Sequence, residues 1–553
     1  SITRSRTIFL ETNSPSGRGG EQSVTRFNLL DEPGIPVITG DGVEVWPIRE
    51  VLLKAQLVAQ LNPANTLEWL PTFRLLQAIV TDAFSESPEA DWGERFRRGE
   101  FDANVIASYL ERVHDRFDLL DPVAPFYQVA SLEAASGDIK SVLALFPEMA
   151  GGNNVPLFSA VLDKDQPTLG LADATRRLLA LLAWDTAGLK TGASGDPQMS
   201  GGKTTGNPTG PLGLIGPIVP LGRNLFESLM LNTPPQPCGP DDLPAWRRLP
   251  TTAEWETRPS RGVLDLLTWQ SRRVRLITSP ADEGQVTGVI VTGGDRLVGV
   301  HPDHEPHTAW RVADPAKGGM ARRPIRHQVG KSFWRGMDAL LAAEGTTLAN
   351  AVAWCSSPTR QQALGRSYVL DLRTVAVAYG NQSAVVEHVI SDATPMAVLA
   401  LDEEHGAAVR EGLTGMCGQA EAARLALNDL GANLRKARGG ESTPWDKGQR
   451  PGDQFLASLD GVAREALDAL SRCADDPSEA LLSWEGAAIA IAWGSARLLL
   501  DEDSRATFEG RGSRTEKKSS LINKATAEAY FGGAREAPFV AFEGRGSRTE
   551  KKS

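Results

Sequence analysis

Three stretches of this chain carry residue types whose spacing could do chemistry. Gly202-Lys203-Thr204 lies in a glycine-, serine- and threonine-rich run over 192–213, the composition of a loop that cradles phosphate. His301, His304 and His307 fall in the heptapeptide His301-Pro302-Asp303-His304-Glu305-Pro306-His307, where imidazoles and carboxylates could share Zn²⁺ or another transition metal. From Arg311 to Arg335, seven basic residues face Asp314 alone, an excess of six positive charges over 25 residues in a chain of net charge −11. Such a patch attracts phosphate backbones, because binding releases their condensed counterions. Arg272, Arg273, Arg275, Arg360 and Arg366 stand nearby in the sequence.

Each has a plainer alternative. A P-loop needs G-x-x-x-x-G-K-[ST] between a strand and a helix, but its first glycine would be Pro197, and residues 175–187 read as helix. A long flexible loop is the simpler account. Two prolines keep the histidine segment irregular and deny it the i, i+4 pairing of an H-E-x-x-H helix, so a structured surface loop competes with a metal-dependent enzyme. Cys355, in Trp354-Cys355-Ser356-Ser357, has no local partner, and no G-x-S-x-G elbow occurs. The basic stretch reads equally as a solvated face or a nucleic-acid contact.

The elements that must position these residues follow from composition and periodicity. At 553 residues the chain exceeds one hydrophobic core, and 41% apolar with 23% charged residues is an ordinary globular balance. No apolar run approaches the ~20 residues of a membrane span. Cys238, Cys355, Cys417 and Cys473 are far apart without a C-x-x-C pair, as in reduced thiols, and a cytoplasmic protein is expected. Residues 1–23 read as a polar, flexible lead-in. Helical periodicity at 48–60, 70–84 and 105–117, with short β-branched strands at 274–278, 286–291 and 297–300, predicts a large mixed α+β domain over 24–390. Thr394-Pro395 reads as a helix start, and three or four long helices predict a four-helix bundle over 391–507. Residues 508–553 read as a solvated, mobile tail in which FEGRGSRTEKKS occurs twice unchanged.

Several of these residues in order resemble the CasA family, the large subunits of type I-E CRISPR Cascade complexes. The resemblance covers about 24–505 and rests on Phe27–Val37 (FNLLDEPGIPV), Pro125-Phe126-Tyr127-Gln128, Gly151-Gly152-Asn153-Asn154, Arg261-Gly262 through Trp269-Gln270, His301-Pro302 with His304 and Pro306, and Gln361-Gln362-Ala363. It lacks the cysteine cluster of some relatives.

The resemblance implies recognition without catalysis and without a cofactor. It implies a subunit held at the 5′ end of the guide RNA among other Cascade subunits, which inspects the protospacer-adjacent motif (PAM) of duplex DNA from the minor groove, starts strand separation and helps recruit a helicase–nuclease. The guide then reads the target by base pairing. Gly151, Gly152, Asn153 and Asn154 match the family's glycine loop, slim enough for a narrow groove. Gln361, Gln362 and Ala363 match its wedge, a hairpin tip that parts the first base pair, with Arg360 beside a phosphate. The family's lysine finger aligns with Thr292–Arg296, where Arg296 is the available substitute. Lys203 and the segment after Phe126 match loops that order on docking to subunits or guide RNA, and Arg322, Arg323 and Arg326 are expected on phosphates. A scaffold that binds only proteins is a further alternative.

Overall fold

The computed structural model describes residues 26–532 apart from 86–90, 150–166, 279–283, 313–321, 338–340, 342–344, 441–449, 474, 502–504, 510, 516–517 and 530. The lead-in, the loop Gly151–Asn154 and the second copy of the repeat therefore lie outside the described residues.

Helix α1 (Thr66–Ala83) has almost no solvent face, being buried from Leu67 to Asp82. Asn65 caps it, its side chain accepting from the Leu67 amide at 2.8 Å. Pro71 sits inside the helix, so no amide there can reach the Leu67 carbonyl four residues back. The indole Nε1 of Trp184 donates to that carbonyl instead, at 3.0 Å.

A helix buried all round must send its polar side chains to partners. Glu68 takes Arg176 at 3.2 Å and Arg177 at 2.8 Å, both from α2 (Leu171–Trp184). Arg74 pairs with Glu305 and donates to His307 Nδ1. Gln77 donates to the Asn232 carbonyl at 2.7 Å, and Asp82 accepts from the Tyr109 hydroxyl at 2.5 Å and from Arg247 at 2.6 Å. Segments remote in sequence are thereby fixed around one axis.

α1 packs against α2, the helices Val263–Leu267, Ala103–Val113 and Leu225–Leu231, and the strands over 369–397, and short sheets build the rest of this body. β1 (Ile35–Thr39) and β2 (Gly42–Trp46) form an antiparallel hairpin in which Ile35 faces Trp46. β3 (Gly188–Thr191) and β4 (Lys203–Asn207) pair antiparallel, and β3 joins a hairpin of β5 (Arg272–Thr278) and β6 (Gln285–Gly293) through Thr191 and Thr292. The expected long flexible loop over 192–213 is thus a folded hairpin followed by the 3₁₀ turn Pro211–Leu214. Buried Arg272 locks the region together, bonding Asp185 at 2.5 Å and the carbonyls of Thr186 and Pro208 at 2.8 Å each.

From Ala407 the chain is mainly helical. α4 (Ala407–Ala437), α5 (Pro451–Arg472) and α6 (Ser478–Asp501) pack on one another around Leu413, Leu427, Leu459 and Trp484, following a short helix α3 (Pro358–Leu364) and a long hairpin of β10 (Val369–Tyr379) with β11 (Val386–Ala397). Thr394 is buried in β11 opposite Leu372, so the expected helix start there is a strand, and the 390/391 boundary falls inside it. Arg335–Glu421 at 2.6 Å, Trp334 Nε1 to Asp460 at 2.8 Å and Arg464–Asp392 at 2.7 Å dock these helices on the mixed body.

Past α6 the backbone forms a hairpin of β12 (Arg511–Thr515) and β13 (Lys518–Ile522), then a helical segment over 524–529. Ala527 and Phe531 are buried, with Phe531 5.4 Å from Trp493. This part of the expected solvated tail is packed, because its apolar side chains find an uncovered flank of α6. Among the described residues no helix is long and apolar enough to cross a membrane.

Trp184→Phe removes the donor to the Leu67 carbonyl, and the stranded acceptor should cost about 1–3 kcal/mol in denaturant unfolding. An unshifted midpoint would show that the carbonyl has another partner.

Candidate nucleic-acid interface

The basic stretch folds into a small antiparallel sheet. β7 (Trp310–Val312) lies between β8 (Arg322–Pro324) and β9 (Thr346–Thr347). Trp310 is buried, so by strand alternation its neighbour Arg311 faces out. The register sets Arg311 directly opposite Arg323 on one side and Thr346 on the other. Both arginines are exposed, and among the described residues neither meets a carboxylate at ion-pair distance. Like charges directly opposite each other are unfavourable by roughly 0.2–1 kcal/mol. A phosphate bridging the two guanidinium groups would turn that repulsion into two charge-assisted hydrogen bonds. Arg322 and Arg326 are exposed on the same segment, Arg326 donating through Nε to the Leu214 carbonyl at 3.3 Å.

Burial removes other cations from this surface. Arg272 is committed to Asp185, Arg273 bonds Asp295 at 2.5 Å, and Arg335 is taken by Glu421. Arg360 is the sharpest correction. It is fully buried, its guanidinium 4.7 Å from the centre of the Trp92 ring, donating to the carbonyls of Leu231 at 3.3 Å and Thr233 at 2.8 Å. It cannot touch a phosphate without unfolding its surroundings. Phe126 is likewise core rather than contact, stacked 5.1 Å from Phe117.

Arg296 does not crown a finger. Thr292, Gly293 and Gly294 are buried, and a side chain at Gly294 would strike the backbone of Arg272. Arg296 lies flat 3.8 Å over Trp255 and donates to the Thr205 carbonyl at 2.5 Å. Lys203 opens β4 with its side chain exposed and remains available to an anion.

The expected wedge is helical rather than a hairpin tip. Ser357 caps α3, its hydroxyl accepting from the Arg360 amide at 3.4 Å, and Pro358 occupies the first turn, both helix-start residues. Gln361 turns inward, its amide donating to the carbonyls of Cys355 at 2.9 Å and Val398 at 3.3 Å. Gln362 is exposed, while Ala363 is half-buried beside Gly93. Gly365 ends the helix with φ +78°, and exposed Arg366 follows, four positions beyond Gln362.

The histidines separate. His301 is exposed and His304 half-buried, their rings stacked at 4.2 Å with His304 Nδ1 2.8 Å from the Ser260 hydroxyl. His307 is wholly buried, accepting at Nδ1 from Arg74 and donating at Nε2 to Asn232 Oδ1 at 3.0 Å. Both its nitrogens are spent, and among the described residues no three His, Cys, Asp or Glu side chains are grouped to hold a metal. The three histidines therefore do not converge on one metal site. Burial, then the Arg74 charge, pushes the His307 pKa well below its ordinary value, and burial likewise lowers that of His327.

This architecture, a mixed body carrying docked long helices, is shared with solved structures. Thermobifida fusca Cse1 superposes with a TM-score of 0.81 at 31% identity, covering 93% of this chain and 98% of that one. One chain of a CRISPR RNA-guided surveillance complex gives 0.66 at 20% identity over 86% of this chain and 99% of its own, a likeness of fold alone. CasA/Cse1 of Thermus thermophilus is 34% identical over 346 residues, which span 59% of this chain and 62% of that relative, less than two thirds of its length. The family described as CRISPR-associated protein Cse1 matches residues 28–494. The chain belongs to the Cse1 family.

Two outcomes follow from these environments. His307 and His327 take protons less readily in the folded than in the unfolded chain, where they titrate near pH 6.5, so stability should fall as pH drops below that value, by up to ~1.4 kcal/mol per pH unit for each group. His307→Gln should flatten the profile between pH 7.5 and 5.5, and a profile of unchanged slope would contradict the assignment. Arg323→Thr should raise stability by about 0.2–1 kcal/mol at low salt, with the gain shrinking as salt screens the pair.

Proposed function

We propose that this chain is the non-catalytic large subunit of a type I-E CRISPR surveillance complex, working in the cytoplasm. In this reading it recognises the PAM of double-stranded DNA from the minor groove and initiates strand separation for pairing with the guide RNA. Its partners are the other subunits of the complex, the guide RNA, the target duplex and a helicase–nuclease that it helps to recruit.

One observation carries the DNA-binding part of this reading. Arg311 and Arg323 are held side by side and exposed, with no carboxylate at ion-pair distance among the described residues, on a protein that is acidic overall. With exposed Arg326 on the same segment they form a cationic patch suited to one rail of a duplex, while alternation turns Arg322 to the other side of the sheet. The minor-groove part rests on Gly151, Gly152, Asn153 and Asn154, and so on family resemblance alone. For strand separation, α3 offers Gln362 as the polar side chain that enters beneath the PAM, with Gln361 positioning the helix and Arg366 in the phosphate role first expected of Arg360. A wedge must be small and able to bond unpaired base edges, which a glutamine at a helix surface satisfies. Lys203 is the further phosphate contact, on guide or target.

In the assembled complex, Gln362→Ala should slow R-loop formation at least several-fold while leaving initial duplex binding within two-fold, as expected when a contact forms only on opening. Equal losses in both would reject the wedge. Arg323→Thr should lower the slope of log K against log salt by about one, the signature of one lost phosphate contact. An unchanged slope would place the duplex elsewhere.

A further inference from the structure

A wide cleft lies apart from the basic sheet and from α3. It encloses about 1050 Å³ between the helix Trp92–Arg98, the helix Ala103–Val113 and the turn Ala245–Arg247. That is large and polar for a small metabolite, whose sites are mostly apolar. On its floor the Tyr109 hydroxyl donates to Asp82 and accepts from Trp246 Nε1 at 2.8 Å, while Arg247 neutralises Asp82. Arg98 engages both Glu94 and Asp102.

Two cations remain. Arg112 lies 5.2 Å over the Tyr109 ring, and Arg116 donates to the Arg248 carbonyl at 2.7 Å; among the described residues neither has a carboxylate at ion-pair distance. Among the described lining residues exposed Asp91 stands against them, and five arginines face four carboxylates.

Two large apolar side chains stand exposed on loops near the cleft. Leu249, 90% exposed, and Val123, 74% exposed, are the two most exposed large apolar side chains among the described residues. Their sequence neighbours Pro250 and Ala124 line one small cavity together with Arg116 and Trp246, both of which also line the cleft. The two loops therefore meet at the cleft's edge, tied by the Arg116 bond to the residue before Leu249. Single exposed aliphatics are ordinary, but a pair beside unpaired arginines has the make-up of an apolar anchor site with a charged rim. Nucleic acid would stack bases on aromatic faces and leave these aliphatics wet, so the pairing favours protein.

We propose that the cleft and its mouth dock an extended segment of a neighbouring protein subunit, one large apolar side chain seated on Leu249 and Val123 and flanking Asp or Glu residues reaching Arg112 and Arg116. This rests on the chain being part of a multi-subunit complex. A photo-crosslinking benzoylphenylalanine at position 249, introduced into the full chain and assembled into the complex, should crosslink to a protein subunit at a segment containing acidic residues. Leu249→Ser with Val123→Ser, and separately Arg112→Glu, should each weaken retention of the chain in the complex about ten-fold without lowering its melting temperature, since all three side chains lie at the surface. Crosslinks to RNA or DNA alone, or unchanged retention of the double variant, would overturn the proposal while leaving the complex assignment intact. If the unaltered chain fails to enter the complex, both fall.

Discussion

A helix with no face toward water imposes the constraint on which the larger half of this protein depends. Hydrophobic packing alone would let α1 rotate or slide among similar contacts. Glu68, Arg74, Gln77 and Asp82 remove that freedom, since each is costly to bury without its own partner and each partner comes from a different part of the chain. The polar side chains thus select one arrangement among many apolar ones. The heptapeptide with three histidines takes its meaning from this: Glu305 and His307 complete the surroundings of Arg74, and only His301 and His304 are left near the surface.

The same constraint explains where charge reading along the chain succeeds and where it breaks down. The excess of arginine from 311 to 335 was legible, and so were the strand pair near 274–291 and the presence of long C-terminal helices. What one-dimensional counting lacks is the destination of each guanidinium. Arg272, Arg273 and Arg360 look like members of a basic surface, yet their partners at Asp185, Asp295, Leu231 and Thr233 lie up to 129 residues away. Arginine suits such sites because its planar fork satisfies several carbonyls at once and lies flat on an indole. Strand alternation would have sorted Arg311 from Trp310, but it gives no register, and only register brings Arg311 beside Arg323.

The segment expected as a hairpin tip is a helix for a related reason. Ser357-Pro358 is a good helix start, and a helix turns adjacent glutamines roughly 100° apart. One then anchors the element while the other is presented. Thr394-Pro395 carries the same local signal and is a strand, because pairing of β11 with β10 along its whole length outweighs it. Local capping chemistry is decisive only where no longer-range ladder competes.

The exchange of a backbone donor for an indole at Pro71 has an evolutionary corollary. Trp184 and Pro71 lie 113 positions apart, yet each makes the other tolerable. A lineage that replaced the proline would regain an amide for the Leu67 carbonyl and crowd the indole's acceptor. One that lost the tryptophan first would leave the proline defect uncovered. The two sites should therefore change together or not at all, and the order of their replacement would be constrained, an epistatic pair created by one missing hydrogen atom.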